Sequence, residues 1–246
     1  MSAMPTRHAS LATRIGNLEL TRCVMNAAGP RSLRPADLEA LVASASGAVV
    51  MKSATLCARD VEPESYLYEE PGGAVSIYTD RLENLGCEAH AAILSGLRAK
   101  SRKPVVASLA GNTPDEFAHM AEVLGKAADA LELNFACPSP TAKSQLGFDL
   151  ATCQRILAST RRATAADLWV KLPPYQDIGV LEAMGDLLRK SGVQAAVAVG
   201  SPAGLDVDVE SESLLIAPRH GMTGIGGHDV ARIARWNIRE LHRVLG

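Results

Sequence analysis

The chain has 246 residues, and 47% of them are hydrophobic, so one large core or two small ones can form without disulfides or metal ions. Its formal net charge of −2 and the lack of any lysine- and arginine-rich run argue against nucleic acid or a membrane surface as partner. The sequence shows neither a signal peptide nor an apolar stretch long enough to span a membrane.

The five cysteines are odd in number, scattered and without a CxxC pair. This pattern predicts reduced thiols in a cytoplasmic protein and argues against a disulfide framework or a zinc site. We expect Cys23, Cys57 and Cys153 to be buried structural residues.

Short apolar runs predict β-strands at residues 23–29, 47–54, 103–111, 128–138, 168–174 and 194–201. Most of these runs are apolar on both faces, as in parallel strands that are covered by helices. Helical patterns lie between most of them. The clearest begins at Thr113 with a capping box and a proline in the first turn, and Phe117, Met120 and Leu124 then share one face.

Strands that alternate with helices predict βαβ units in a parallel sheet, either open and doubly wound or closed as a TIM (β/α)8-type barrel. Neither GxGxxG nor a Walker A motif follows the first strand, which weakens the case for an open nucleotide-binding sheet. Polar residues instead end successive strands: Asn26, Lys52, Asn134 with Cys137, Lys171 and Ser201. Barrel active sites lie at these strand ends, so we favour a barrel forming one domain over residues 1–246.

Lys52 and Lys171 each end an apolar strand, and a lysine there cannot stay buried without a partner. Each could extend its stem to solvent, or the two could form a cationic pocket at the barrel mouth. Asn134 and Asn84 could contact a ligand or simply satisfy backbone groups at a strand end and a turn.

Cys137 precedes two prolines, Pro138 and Pro140, which exclude helix and regular strand and predict a loop at the active face. The thiol could be a nucleophile or a base. A nucleophile would need a histidine partner, and only His228, beside GIGG, has a suitable setting. A base next to an electron-poor cofactor needs no histidine partner.

The glycine-rich run 221–229 predicts backbone with positive φ, or backbone that lies close to something flat.

Motifs in a characteristic order resemble the class 1 dihydroorotate dehydrogenases, most closely the soluble 1A branch: VMNAAGP, VVMKSATL, SIYTDRLENLG, SLAG, LELNFACPSP, VKLPPYQD and HGMTGIGGHD. The resemblance runs from about Gly16 to the C-terminus. It implies an FMN-containing barrel that oxidises dihydroorotate to orotate in pyrimidine (UMP) biosynthesis. It further implies fumarate as electron acceptor and a homodimeric state.

The resemblance also implies roles for individual residues. Cys137 would be the base that removes the C5 proton while the C6 hydride passes to the flavin. Lys52 would contact flavin and substrate carboxylate, and Lys171 would lie near flavin N1 and O2. The other flavin-binding positions would be Ala28, Ser53, Asn134, Val199 and Gly227, and the other substrate-binding positions Asn84, Asn134, Ser139 and Ser201.

The sequence departs from the family pattern at three places. Ser139 replaces an asparagine, Gly200-Ser201 replaces an asparagine-serine pair, and Arg81-Leu82-Glu83-Asn84 replaces a GLPN turn. Two of the family's four substrate-reading asparagines are therefore absent. Restoring asparagine at positions 139 and 200 should tighten orotate binding by roughly 1–3 kcal/mol for each contact.

An amphipathic helix marked by Val230, Ile233, Asn237, Leu241 and Val244 follows the glycine-rich run. Six strands precede it, whereas a closed barrel needs eight. We therefore expect an incomplete barrel without the family's last two βα units. Such a barrel should bind FMN weakly, and it should self-associate or be unstable unless something covers its strand edges. Two alternatives stay open: a non-catalytic degenerate barrel that acts as a binding or interaction protein, and an FMN dehydrogenase for a related dihydropyrimidine.

Overall fold

The computed structural model describes residues 10–60, 67–70, 72–73, 75–79, 83–137, 145–216 and 223–246. The strands are β1 (Thr13–Ile15), β2 (Leu18–Leu20), β3 (Val49–Val50), β4 (Leu67–Glu69), β5 (Val75–Thr79), β6 (Val105–Leu109), β7 (Ala130–Asn134), β8 (Asp167–Leu172), β9 (Ala195–Ala198), β10 (Val207–Asp208), β11 (Ser213–Leu214) and β12 (Thr223–Gly227). The helices are α1 (Pro35–Ala43), α2 (Gly86–Lys100), α3 (Pro114–Leu124), α4 (Leu150–Ala163), α5 (Ile178–Lys190) and α6 (Val230–Leu245).

The central element is a five-stranded sheet in the order β3-β6-β7-β8-β9. All of its neighbouring strands pair in parallel. Helices α2, α3, α4 and α5 each precede the next strand of this sheet along the chain. The sheet is curled like part of a TIM-type barrel, which confirms the predicted α/β class and the incomplete barrel.

The first predicted strand, residues 23–29, is not a strand. Instead, the side chain of Asn26 donates to the Val50 carbonyl (2.6 Å) and accepts from the Val50 amide (3.0 Å). One asparagine thus supplies the two hydrogen bonds that a strand backbone would give to β3. The described parallel sheet therefore has five strands, not the six that the apolar runs predicted.

The concave face of the sheet changes from apolar to polar along the strands. Side chains alternate between the two faces of a strand, so the residues nearer the amino ends cluster on one face: Val50, Val106, Ala130 and Trp169. Ile15 and Leu18, from the β1–β2 hairpin, pack against this cluster. The next positions on the same face are polar: Lys52, Ser108, Glu132 and Lys171. The hairpin closes the apolar end and leaves the polar end for a site.

Helix α3 begins as the sequence predicts. The Thr113 side chain accepts a hydrogen bond from the Glu116 amide (3.2 Å), while the Glu116 carboxylate accepts from the Asn112 amide (2.8 Å). The second bond of a capping box would go to the Thr113 amide, so the cap is shifted by one residue. Phe117, Met120 and Leu124 are buried, which confirms the predicted apolar face.

Helix α6 follows the glycine-rich run and packs on α5, as its apolar pattern indicates. Its buried Asn237 accepts from the Tyr175 amide and donates to the Tyr175 carbonyl, both at 3.0 Å. These two bonds tie α6 to the segment that follows β8. None of the described helices has the length and apolar character needed to cross a membrane.

A smaller antiparallel sheet, in the order β12-β5-β4, lies at the polar end. A side-chain carbon at Gly224 would lie 3.0 Å from both Ser201 Cβ and Tyr78 Cζ, and Gly227 has a φ of +99°. The predicted need for close approach or positive φ is thus confirmed in the described part of the run 221–229.

Candidate active site

Two cavities adjoin at the carboxyl ends of the parallel strands. The small cavity, of about 190 Å³, lies between the ends of β7 to β9 and the strands β5 and β12. The large cavity, of about 650 Å³, extends from Asn134 and Cys137 to the segment after β3. Six residues line both cavities: Ala28, Ser53, Tyr78, Asn134, Ala136 and Ser201. The two cavities therefore share a wall, and a ligand in each would meet the other there.

A buried ion pair lies in the wall of the small cavity. Lys171 Nζ is 3.7 Å from Glu132 Oε1, and both residues are buried. The lysine thus meets an anion inside the fold and does not extend its stem to solvent.

A chain of hydrogen bonds links this ion pair to the shared wall. Ser108 Oγ donates to Glu132 Oε1 (3.2 Å), and the hydroxyls of Ser108 and Ser53 lie 2.8 Å apart. Asn134 Nδ2 donates to Ser53 Oγ over a longer 3.4 Å. Ser53 and Asn134 were predicted from the sequence, whereas Ser108 and Glu132 were not.

The large cavity has a cationic side formed by Lys52 and Arg59. Burial and then the charge of Arg59 lower the pKa of Lys52 to about 8, against an opposing effect of Glu83. A ligand carboxylate here would supply an opposite charge to the desolvated Lys52 and to the exposed Arg59, so this side of the cavity suits an anion.

Cys137 is partly buried in the large cavity, and its thiol donates to the Asn134 carbonyl (2.9 Å). Burial raises the pKa of this thiol to about 12, although a backbone hydrogen bond and the charge of Arg59 act in the opposite direction. The thiol is therefore protonated at neutral pH in this arrangement. The predicted loop with Pro138 and Pro140, and with it Ser139, lies outside the described residues.

All five cysteines are free thiols. Cys153 is buried as expected, but Cys23 and Cys57 are exposed, so the prediction that these two are buried structural residues is wrong. Cys57 lines the large cavity, where it offers a second thiol for comparison with Cys137.

Asn84 holds the backbone around the large cavity. Its side-chain oxygen accepts from the amides of Thr55 and Gly86, both at 3.1 Å, and its Nδ2 donates to the Ser53 carbonyl (2.8 Å). The residue is only 2% exposed. These bonds fit the backbone-satisfying alternative, and Asn84 also lines the large cavity, so its predicted contact with a substrate stays a prediction.

Ser201 is in the shared wall, where the Tyr78 hydroxyl donates to its Oγ over 2.6 Å. Burial raises the pKa of Tyr78, which keeps this donor protonated. Tyr78 was not predicted as a site residue, because it and Ser201 lie 123 residues apart in the chain.

Gly200 leaves no room for the asparagine that the family pattern has at this position. A Cβ on Gly200 would lie 2.1 Å from Ala136 Cβ, which is far inside van der Waals contact. The asparagine that the family pattern has at position 200 therefore conflicts with this backbone, and we expect no added substrate contact from it. Ala28 and Val199 line the small cavity, but Gly227 lines neither cavity.

The curled parallel sheet, with its polar cavities at the carboxyl ends of the strands, defines an α/β enzyme of the TIM-barrel type. Residues 10–246 match the family model described as dihydroorotate dehydrogenase. The chain therefore belongs to the dihydroorotate dehydrogenase family, whose members are oxidoreductases.

The chain is similar to curated proteins from protists and bacteria. It is 34% identical to the dihydroorotate dehydrogenase (fumarate) of Trypanosoma cruzi, over 89% of this chain and 71% of the relative. It is 33% identical to the probable dihydroorotate dehydrogenase A (fumarate) of Streptococcus pneumoniae R6, over 96% and 76%. For the dihydroorotate dehydrogenase A (fumarate) of Lactococcus lactis IL1403 the identity is 32%, over 94% and 76%. The lack of two βα units stays a prediction.

Proposed function

We propose that this protein is an FMN-dependent oxidoreductase that oxidises dihydroorotate to orotate in UMP biosynthesis, with fumarate as electron acceptor. The observation that carries the proposal is the shared wall between a cavity with Cys137 and Lys52 and a cavity with Lys171. The similar proteins named dihydroorotate dehydrogenase (fumarate) support the same reaction and acceptor.

We assign the ring system of a flavin to the small cavity. Six of its fifteen lining residues have little or no side chain: Ala27, Ala28, Ala136, Gly200, Ala203 and Gly224. A flat ring can approach backbone closely where side chains are this small. Lys171 would lie beside the ring and Ser53, Asn134 and Val199 around it, while Gly227 has no place in this cavity. When bound, the flavin would supply a two-electron acceptor for hydride from C6 of the substrate.

The large cavity supplies binding and proton transfer. Lys52, with Arg59 behind it, would hold the substrate carboxylate, and Asn134 and Ser201 would face the substrate ring from the shared wall. Cys137 would take the C5 proton as the C6 hydride leaves, so that the substrate loses two electrons and two hydrogen nuclei. The positive charge of Arg59 favours the thiolate that this step requires.

Replacing Cys137 with serine tests the proposed base. Serine nearly keeps the size of the side chain, but its hydroxyl is much less acidic than a thiol and its deprotonated form is less available as a base, so flavin reduction by dihydroorotate should slow by about 10²–10⁴-fold. Flavin content should not change, because Cys137 does not line the small cavity. Stopped-flow absorbance of the flavin gives the rate.

The matched control for this test is Cys57→Ser, which alters an exposed thiol in the same cavity and should leave the rate unchanged. Equal rates for wild type and Cys137→Ser would remove the thiol from the mechanism. A wild-type chain that binds no flavin would instead favour the degenerate-barrel alternative.

A related dihydropyrimidine as substrate is the second candidate, favoured by the Tyr78–Ser201 contact. Ser201 Oγ already accepts a bond from Tyr78, and the asparagine expected at position 200 has no room. The substrate edge that faces this wall would therefore meet a phenol and a hydroxyl. Rates of flavin reduction with a panel of dihydropyrimidines separate the candidates, since dihydroorotate should be fastest under the first proposal.

We further propose that the protein is a cytoplasmic homodimer. Five free cysteines fit a reducing compartment. Exposed apolar side chains on and beside the β10–β11 hairpin offer a contact surface, with Leu205, Val207, Val209 and Leu214 all exposed.

A further inference from the structure

Glu132 is a buried acid that the proposed reaction does not use. It lies in the middle of β7, is 3% exposed and lines the small cavity together with Lys171. A buried carboxylate is strongly disfavoured unless it is paired with a cation or fully hydrogen-bonded. A carboxylate in this cavity wall is therefore expected to have a functional role that offsets the cost of burying it.

Within the ranges that the structure describes, the carboxylate of Glu132 has one cationic partner and one hydroxyl partner. Among the described residues, Lys171 Nζ is the one cation within 4 Å of its carboxylate, at 3.7 Å. Ser108 Oγ donates to the same oxygen at 3.2 Å. A separation of 3.7 Å is too long for a hydrogen bond, so the N–H groups of the lysine remain available to a ligand in the cavity.

We propose that Glu132 is a positioning residue that holds the amine of Lys171 at the small cavity and sets the positive charge this wall presents to a flavin. The inference rests on the proposed function and extends it to the control of the redox potential. With Glu132 ionised, much of the lysine charge is balanced. Without it, the same lysine would favour the anionic, reduced form of the flavin more strongly.

The measurement is the midpoint potential of bound flavin in Glu132→Gln, obtained by equilibration with a reference dye. Glutamine keeps an acceptor for Ser108 but removes the charge. We expect reduced flavin to gain about tenfold in binding over oxidised flavin, which raises a two-electron potential by about 30 mV. An unchanged potential in a variant with full flavin content would overturn the proposal.

Asp129→Asn is the matched control. Asp129 lies just before β7, pairs with Arg98 at 2.9 Å and lines neither cavity. Its loss should lower stability without moving the flavin potential. Glu132→Asp keeps the charge, so its flavin potential should lie nearer the wild-type value than that of Glu132→Gln. This variant serves if the glutamine variant does not fold. An equal shift in Asp129→Asn and Glu132→Gln would contradict a specific role.

A flavin-free measurement separates this proposal from the proposed function. Limited acetylation followed by peptide mass spectrometry gives the reactivity of Lys171 relative to the exposed Lys126. We expect Lys171 to react several-fold faster in Glu132→Gln, because its amine is no longer held. If the wild type takes up no flavin, the proposed function fails, and equal Lys171 reactivity in the two proteins would then overturn the role of Glu132.

Discussion

Lys52 and Cys137 respond to pH in ways that oppose each other. Burial lowers the pKa of Lys52 to about 8 and raises that of Cys137 to about 12. The lysine must be protonated to hold an anion, whereas the thiol must lose its proton to act as a base. Rising pH therefore promotes proton abstraction while it removes the charge that binds the substrate.

The affinity for orotate should follow the protonation state of Lys52. Below pH 8 Lys52 is charged and the affinity should be flat, whereas above pH 8 it should fall about tenfold for each pH unit. Titration of the flavin absorbance with orotate at several pH values measures this. Lys52→Met should bind more weakly with no break near pH 8, and Lys126→Met should behave like wild type. A break that persists in Lys52→Met would assign it to another group.

Lys52 should also affect stability. Because its pKa in the folded protein is lower than the ordinary 10.5, the unfolded chain binds more protons between about pH 8 and 10.5. The contribution of this residue to the free energy of unfolding therefore rises with pH across that window.

Single residues differ in how well the sequence predicts their part in the site. Lys52, Lys171 and Asn134 can be predicted as site residues, because each is a polar side chain at the end of an apolar strand and burying it without a partner would cost free energy. Glu132 was not recognised because an acid that alternates with apolar residues also fits an ordinary strand with one wet face. Tyr78 depends on a tertiary contact with Ser201, and nothing local to it in the sequence indicates that contact.

At the scale of elements, apolar runs predicted all five parallel strands and the helix after the glycine-rich run. The run 23–29 was misassigned because its composition is that of a strand, whereas its pairing is made by the side chain of Asn26. An apolar run in the sequence indicates that a segment is buried. It does not indicate whether the backbone of that segment or one of its side chains makes the hydrogen bonds to the neighbouring strand.

The segments that follow β7 and β9 touch at Gly200 and Ala136, and this contact limits what the site can accept. Gly200→Asn should lower the free energy of unfolding by about 1–3 kcal/mol and should not tighten orotate binding. Chemical denaturation and orotate titration measure the two effects. Tighter orotate binding with unchanged stability would contradict the close contact.

Three further variants make this test specific. Gly200→Ala should also destabilise the protein, and adding Ala136→Gly should recover much of the loss because it removes the carbon that clashes. Gly96→Ala, in an open position of α2, should instead stabilise the protein by about 0.5–1 kcal/mol.

At the scale of the whole molecule, the main core lies between the parallel sheet and its helices, a smaller apolar cluster and the site share the other face of the sheet, and the β10–β11 hairpin carries exposed apolar side chains. Val209 on this hairpin is 86% exposed, beside Leu205 and Leu214. Apolar side chains that are grouped and exposed in this way are typical of a surface that meets another chain.

Val209→Glu should therefore weaken the proposed dimer, because a charge at a buried contact is not compensated. Sedimentation velocity over a range of concentrations would show a shift towards monomer. Val24→Glu is the matched control, since Val24 is another valine, 66% exposed and away from the hairpin, and should leave the association unchanged. An unaltered dimer in Val209→Glu would place the contact elsewhere.

The wall that the two cavities share has an energetic consequence. A ligand in the small cavity covers one side of Ser53, Asn134 and Ser201, and a ligand in the large cavity meets the other side. Any change that one ligand makes to these side chains alters the affinity for the other, and thermodynamic linkage makes that change equal in both directions. The flavin and the substrate thus act as reciprocal effectors, and the occupancy of each cavity sets the apparent dissociation constant of the other.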